Sequence, residues 1–288
     1  LTPTKPVTLT VEVVDQLPPN AARGDYLECA QMLVDSTEDG VRATTARGAV
    51  MIGTFGEADE SWHMTVPSQL VEGGWWPEIE DLVSLVVTTG WRRAAWVPIH
   101  AAGLVKGNRG LLVCASSRGG KTTFSLAMAR RRWRLVGDDK LLVGRREERP
   151  IVAAVKHTLN LDPAAGEWFA EVGDLTHLPI YSEWSPKRRV ELSSIFEDAA
   201  AAVMLPSHVV VLTRVTRGGE VRVARLDAAE RISALLHQTV VPTEPKLARF
   251  ITATLATLAS SLQGVRVEIP DDVYRDQSAL DVFEQAVA

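Results

Sequence analysis

Residues 111–123 read LLVCASSRGGKTT, an apolar run entering a short polar loop that closes on Gly-Gly-Lys-Thr. No other segment narrows the fold as much. An apolar strand that turns through glycines into a helix needs a sheet around the strand and a helix packed on it, which predicts an α/β arrangement. Backbone N–H groups of such a loop, with the N-terminus of the following helix, wrap a polyphosphate. Lysine adds a point charge at the terminal phosphates, and the hydroxyl after it completes a Mg²⁺ shell. ATP and Mg²⁺ are the expected cofactors.

The usual pattern is G-x-x-x-x-G-K-[ST]. Here Ala115 takes the first glycine's place, where alanine serves only if φ stays negative. Ser116, Ser117, Arg118, Gly119, Gly120, Lys121, Thr122 and Thr123 are the expected nucleotide contacts.

The chain has 288 residues, enough for one large domain or two modest ones. A net charge of −5 argues against a nucleic-acid-binding surface across the whole molecule. No apolar run approaches the roughly 18–20 residues that span a bilayer, and LTPTKPVTLTVEV lacks a secretory apolar block. Cys29 and Cys114 lie far apart, and Cys114 belongs to the apolar run, so buried thiols in a reducing cytoplasm are expected.

Residues 1–66 alternate apolar with polar or small residues: VTLTVEVV, DYLECAQMLV, VRATT and AVMIGTF. Turn signals PPN, RGD, EDG and RG lie between them, as in short antiparallel strands. A helix is predicted at Pro77–Thr88, with Glu78, Glu80 and Asp81 at its positive end. Trp91 to Trp96 reads as a seam. Thereafter strands at Leu111–Cys114, Arg134–Gly137, Leu141–Val143, His208–Val215 and Val221–Ala224 mix with helices at Thr122–Arg131, Asp227–His237 and Glu244–Leu262. Asp271–Val287 is amphipathic. It is expected to pack on the body or on another copy, so a homo-oligomer is compatible. The expected organisation is a small, mostly β domain at 1–94 and an α/β phosphate-loop domain at 95–288.

His100 precedes the loop, and Asp138-Asp139 follow the strand after the loop helix. Over residues 97–143 the chain reads VPIHAAGLVKGNRGLLVCASSRGGKTTFSLAMARRRWRLVGDDKLLV. This resembles the catalytic core of HPr kinase/phosphorylase-related proteins, which share a phosphate-loop fold with bacterial phosphoenolpyruvate carboxykinases. The resemblance implies an ATP- and Mg²⁺-dependent kinase in which His100, Lys121, Asp138 and Asp139 are catalytic, with Thr122 and Asp138 on the metal. It implies Asp139 as the base that takes the acceptor's proton. The HAA variant is similar to members that phosphorylate other targets, including peptide-maturation kinases. The expected acceptor is a serine or threonine hydroxyl of a protein or peptide, with a small-molecule hydroxyl as the alternative. VAAVKHTLNLD lacks the glycine-rich signature of classical HPr kinases, so neither HPr as acceptor nor the reverse phosphorylase activity is expected. A nucleotide-binding regulator that transfers nothing is the rival from another class. A carboxykinase activity ranks below both, since no oxaloacetate-site motif is present.

Other features have bland readings of comparable weight. Arg130-Arg131-Arg132-Trp133-Arg134 closes the loop helix, where cations complement the dipole and stay solvated. Arg118 is placed to reach a phosphate or the adenine face. His157 and Asn160 lie where the resemblance puts residues near the metal or acceptor, but an ordinary loop-to-strand segment reads equally well. Lys187-Arg188-Arg189 reads as a solvated or mobile basic loop, and His237–Arg249 as a Pro-rich turn before a helix. Trp62, Trp75, Trp76, Trp91 and Trp96 suit core or domain-interface packing, with a peptide groove as the sharper alternative.

Overall fold

The computed structural model describes residues 7–15, 27–29, 32–56, 59–74, 76–178, 180–182, 185–215, 218–274 and 277–288. The PPN and RGD turns, part of DYLECAQMLV, and Trp75 lie outside these residues. The chain is mixed α/β with several sheets and divides into two compact units, Leu1–Trp96 with Val240–Thr252, and Val97–Thr239 with Ala253–Ala288. The sequence reading kept Val240–Thr252 with the later part of the chain. The division falls inside the helix Pro245–Ser261.

In the first unit, six strands form one sheet. Val7–Val14 runs parallel to Glu60–Pro67, and an antiparallel meander continues through Val50–Phe55, Gly40–Thr45 and Met32–Ser36 to Leu27–Cys29. Period-two alternation sends Val41, Ala43, Trp62, Met64 and Val66 into one core, which Leu82 and Val86 close from the helix Trp76–Arg93. That helix outruns its predicted end at Thr88. Arg92 and Arg93 occupy its last turn, where cations complement the dipole. Trp91 is therefore helical, and the chain leaves the helix through Ala95 at φ 62°. Buried Glu60 accepts from the Trp62 indole N–H (2.7 Å) and pairs with Arg93, which satisfies two polar groups that the core would otherwise strand.

The second unit is built on a six-stranded sheet. Its order is Arg134–Gly137, Ala102–Lys106, Arg109–Cys114, His208–Val215, Gln263–Pro270 and Arg222–Arg225. The three strands Arg109–Cys114, His208–Val215 and Gln263–Pro270 are parallel neighbours. Leu111, Val113, Val210, Leu212, Val265 and Val267, alternate positions along these strands, enter one core, while Arg266 on the other face of Gln263–Pro270 is exposed. The helix Lys121–Arg130 is buried from Phe124 to Ala129 and packs into the same core. A four-stranded antiparallel sheet (Val203–Met204, Arg149–Ala154, Leu141–Arg146, Val97–Ile99) and a three-stranded one (Thr158–Leu161, Ser185–Glu191, Ile180–Ser182) complete the unit.

Two expectations change here. Lys187-Arg188-Arg189 is no loop. It lies in the strand Ser185–Glu191, paired antiparallel with Thr158–Leu161, and three consecutive charges hid the alternation that ends in buried Val190. The arginines after the loop helix are not simply solvated either. Arg130 pairs with Glu171, and Arg131 pairs with Asp281 and Glu284. Glu284 also accepts from the Trp133 indole (2.6 Å) and Lys106 (3.0 Å). Burial works to raise its pKa, but these donors outweigh burial and hold it at about 2. This cluster fastens the short helix Asp281–Ala286, whose Phe283 meets Phe124 edge-on at 5.2 Å. Among the described residues no helix is long and apolar enough to cross a membrane.

Candidate active site

The site begins where Arg109–Cys114 runs out. Gly119 N–H donates to Ser116 O (3.0 Å) and Phe124 N–H to Gly120 O (2.9 Å), which curls residues 115–120 into the helix. Gly120 takes φ 87°, which glycine adopts without strain. A Cβ on Gly119 would lie 2.9 Å from both the Ser116 carbonyl oxygen and the Ala115 Cβ, so the curl is tight enough to require glycine. Ala115 is not among the residues with positive φ, so alanine occupies the first pattern position without backbone strain. No side chain caps the helix, which leaves its N-terminal N–H groups and positive dipole end directed at the loop. Ser116, Ser117 and Arg118 are exposed, and Arg118 adopts φ 59°.

Lys121 is the first helical residue and is only 8% exposed. Its Nζ donates to Ala115 O at 3.3 Å, which holds the ammonium across the mouth of the loop. Burial lowers its pKa, and the charges of Asp139 and Asp138 partly restore it. Cys114 itself is a free, buried thiol whose pKa burial pushes up to about 12, so it stays neutral and unreactive.

The two aspartates follow the strand Arg134–Gly137 and have opposite electrostatics. Asp138 is 6% exposed. Burial lifts its pKa to about 6, against a hydrogen bond from the Thr122 side chain, and the Asp139 charge adds to the rise. Asp139 is 44% exposed and held at about 2, first by its hydrogen bond to His100. His100 Nε2 lies 2.9 Å from Asp139 Oδ1, and the His100 backbone N–H is anchored to Gln238 O at 2.6 Å. The other carboxylate oxygen faces Lys156 Nζ at 4.0 Å. His100, Lys121, Thr122, Asp138 and Asp139, drawn from three separate stretches of sequence, therefore share one electrostatic neighbourhood.

Two more cations belong to it. Lys156 acts on both aspartates, and Lys187 acts on Asp138 and Lys121. Sequence reasoning passed over Lys156, which has no pattern of its own. It saw Lys187 within a basic cluster, solvated by default or else a mobile loop closing on phosphates or binding an acidic partner. Their roles arise from where the two small sheets fold back toward the loop. His157, by contrast, bonds the Ala201 carbonyl at 3.0 Å, as a structural histidine does. The buried Asn160 Oδ1 has no hydrogen-bond partner among the described residues.

Among the described residues no group of three or more His, Cys, Asp or Glu side chains is placed to hold a metal by itself. Asp138 and Thr122 instead offer a buried carboxylate and a hydroxyl side by side at the loop. Oxygen donors of this kind suit Mg²⁺, which keeps several waters and shares its shell with substrate phosphates. The raised pKa of Asp138 marks a carboxylate that a nearby cation would relieve.

Fold and site together define a mixed α/β unit with a strand–loop–helix turn, an uncapped helix N-terminus, a buried lysine and two neighbouring carboxylates. No family model matches the chain, and no curated protein matches it. Among solved structures, the HPr(Ser) kinase/phosphatase from Coxiella burnetii is similar over 66% of this chain and 95% of its own length. Identity is 12% and the TM-score 0.35, a likeness too slight to carry an argument.

Proposed function

We propose that the second unit is an ATP- and Mg²⁺-dependent phosphotransferase that passes the γ-phosphoryl group to a hydroxyl, a serine or threonine of a protein or peptide. One observation carries the reading. The buried Lys121 ammonium is pinned across the phosphate loop in the field of both aspartates, and His100 pairs with Asp139 beside it.

Phosphoryl transfer asks for positioning and charge compensation more than for strong bases, because its transition state is loose and charge spreads over the phosphoryl oxygens. Backbone N–H groups of the loop and Lys121 would meet that charge. Asp138 and Thr122 would hold Mg²⁺, which supplies further charge neutralisation between the phosphates. His100 orients Asp139 through Oδ1, which leaves the second carboxylate oxygen to accept the acceptor's hydroxyl proton as the new P–O bond forms and the bond to ADP breaks. The low pKa of Asp139 suits this role, since the proton departs late and little basicity is needed.

The test is incubation of the wild-type chain and Lys121→Ala with γ-labelled ATP, Mg²⁺ and a library of serine- and threonine-containing peptides. Label on hydroxyl side chains is expected from the wild type, with at least a hundredfold loss in Lys121→Ala. Tight ATP binding without transfer to any hydroxyl would instead make the chain a nucleotide-responsive regulator.

A further inference from the structure

Beside the loop, two strands outrun the one that feeds it. His208–Val215 pairs Val211 with Cys114 and then continues four residues further, with Gln263–Pro270 alongside as far as the Val215–Pro270 pair. At a rise of about 3.3 Å per residue this makes a wall about 13 Å high at the carboxyl edge of the parallel strands, the edge where open α/β sheets bind ligands. The turn Asp271–Tyr274 crowns it.

Tyr274 is 3% exposed, and its ring stacks on Trp168 at 5.9 Å and packs on Phe169 at 6.3 Å. Its hydroxyl lies 3.9 Å from where a Cβ on Gly120 would stand. No described residue gives it a hydrogen bond. The hydroxyl is a donor still without a protein partner among the described residues, and it faces the N-cap of the loop helix. Arg214, near the top of the wall, is held by Asp271 (Nη2 to Oδ2 2.8 Å), and the charges of both reach Tyr274, that of Asp271 more strongly. The charges that act most strongly on Lys121, Asp138 and Asp139 come instead from one another, His100, Lys156 and Lys187.

We propose that this corner is the subsite for the non-transferred phosphates of a nucleoside polyphosphate: the Tyr274 hydroxyl donates to a phosphate oxygen beside Gly120, and Arg214 supplies countercharge along the same side. The identity of the ligand rests on the phosphotransferase reading. The neutral phenol and a cation already committed to Asp271 complement the loop's N–H groups where no bond is broken and no charge develops.

ADP keeps these phosphates and lacks the transferred one, so comparing variants at this corner by titration of the full chain with ADP and Mg²⁺ reads the corner's share of binding without the transferred group. Tyr274→Phe preserves the ring contacts, and about tenfold weaker ADP binding at an unchanged melting temperature is expected. Equal affinity of wild type and Tyr274→Phe would overturn the subsite and leave the phosphotransferase reading standing. A wild type that does not bind ADP at all would overturn both. Should phenylalanine lower the melting temperature, Arg214→Gln reads the same corner. A loss of at least threefold at low ionic strength supports the proposal, and unchanged affinity overturns it.

Discussion

Adjacent aspartates with opposite shifts give the site a pH signature. Asp138 in the folded chain holds its proton up to about pH 6, above the ordinary carboxylate value. The folded state therefore binds more protons than the unfolded chain between about pH 4 and pH 6. Stability from this group falls as pH rises through that window, by up to about 3 kcal/mol for a shift of this size. Asp138→Asn should thus be more stable than the wild type at pH 8 in the absence of metal and equally stable at pH 4, as read by denaturant melts at the two pH values. The same variant should lose most Mg²⁺-dependent turnover. Asp139 runs the other way. Its contribution is present above the ordinary carboxylate value and lost as pH falls toward 2, and it is small because the group is half exposed.

At the scale of elements, the strand–loop–helix turn was the most legible part of the chain. Its strand starts at Arg109 and its helix at Lys121, close to the predicted Leu111 and Thr122, because an apolar run and a Gly-Gly pair are both local signals. The Ser185–Glu191 strand was not legible, since three consecutive cations conceal its period and only pairing with Thr158–Leu161 makes it a strand. The 3₁₀ turns Asp271–Tyr274 and Gln277–Leu280 and the helix Asp281–Ala286 were read as one amphipathic segment, and Phe283 of that helix packs on Phe124 of the loop helix. The curl of the loop itself makes a prediction. Gly119→Ala forces a Cβ against backbone at Ser116, so a loss of about 1–3 kcal/mol in stability is expected, with nucleotide affinity falling further than stability explains. Paired thermal melts and ATP titrations would check this, and intact affinity would mean the curl is not the cradle.

The whole molecule is interleaved in sequence. Val240–Thr252 belongs to the first unit, where Arg92 donates to Val240 O (2.6 Å), Ser36 bonds Thr243 (3.1 Å) and Lys246 pairs with Glu38. A fragment of residues 97–288 keeps this segment but loses those partners, so a melting temperature at least several degrees below that of the full chain is expected in calorimetry. An unchanged transition would show that the segment needs no partner. Local chemistry made the mixed α/β class and the strand–loop–helix turn legible and singled out His100, Lys121, Asp138 and Asp139 as candidates, because glycine content, apolar period and residue type act over a few positions along the chain. Tertiary structure alone decided the rest: the 2.9 Å pairing of His100 with Asp139, the opposite titration of two neighbouring carboxylates, and the arrival of Lys156, Lys187 and Tyr274 around the loop. Burial and charge–charge distance set those properties, and both are defined only once segments far apart in sequence have packed together.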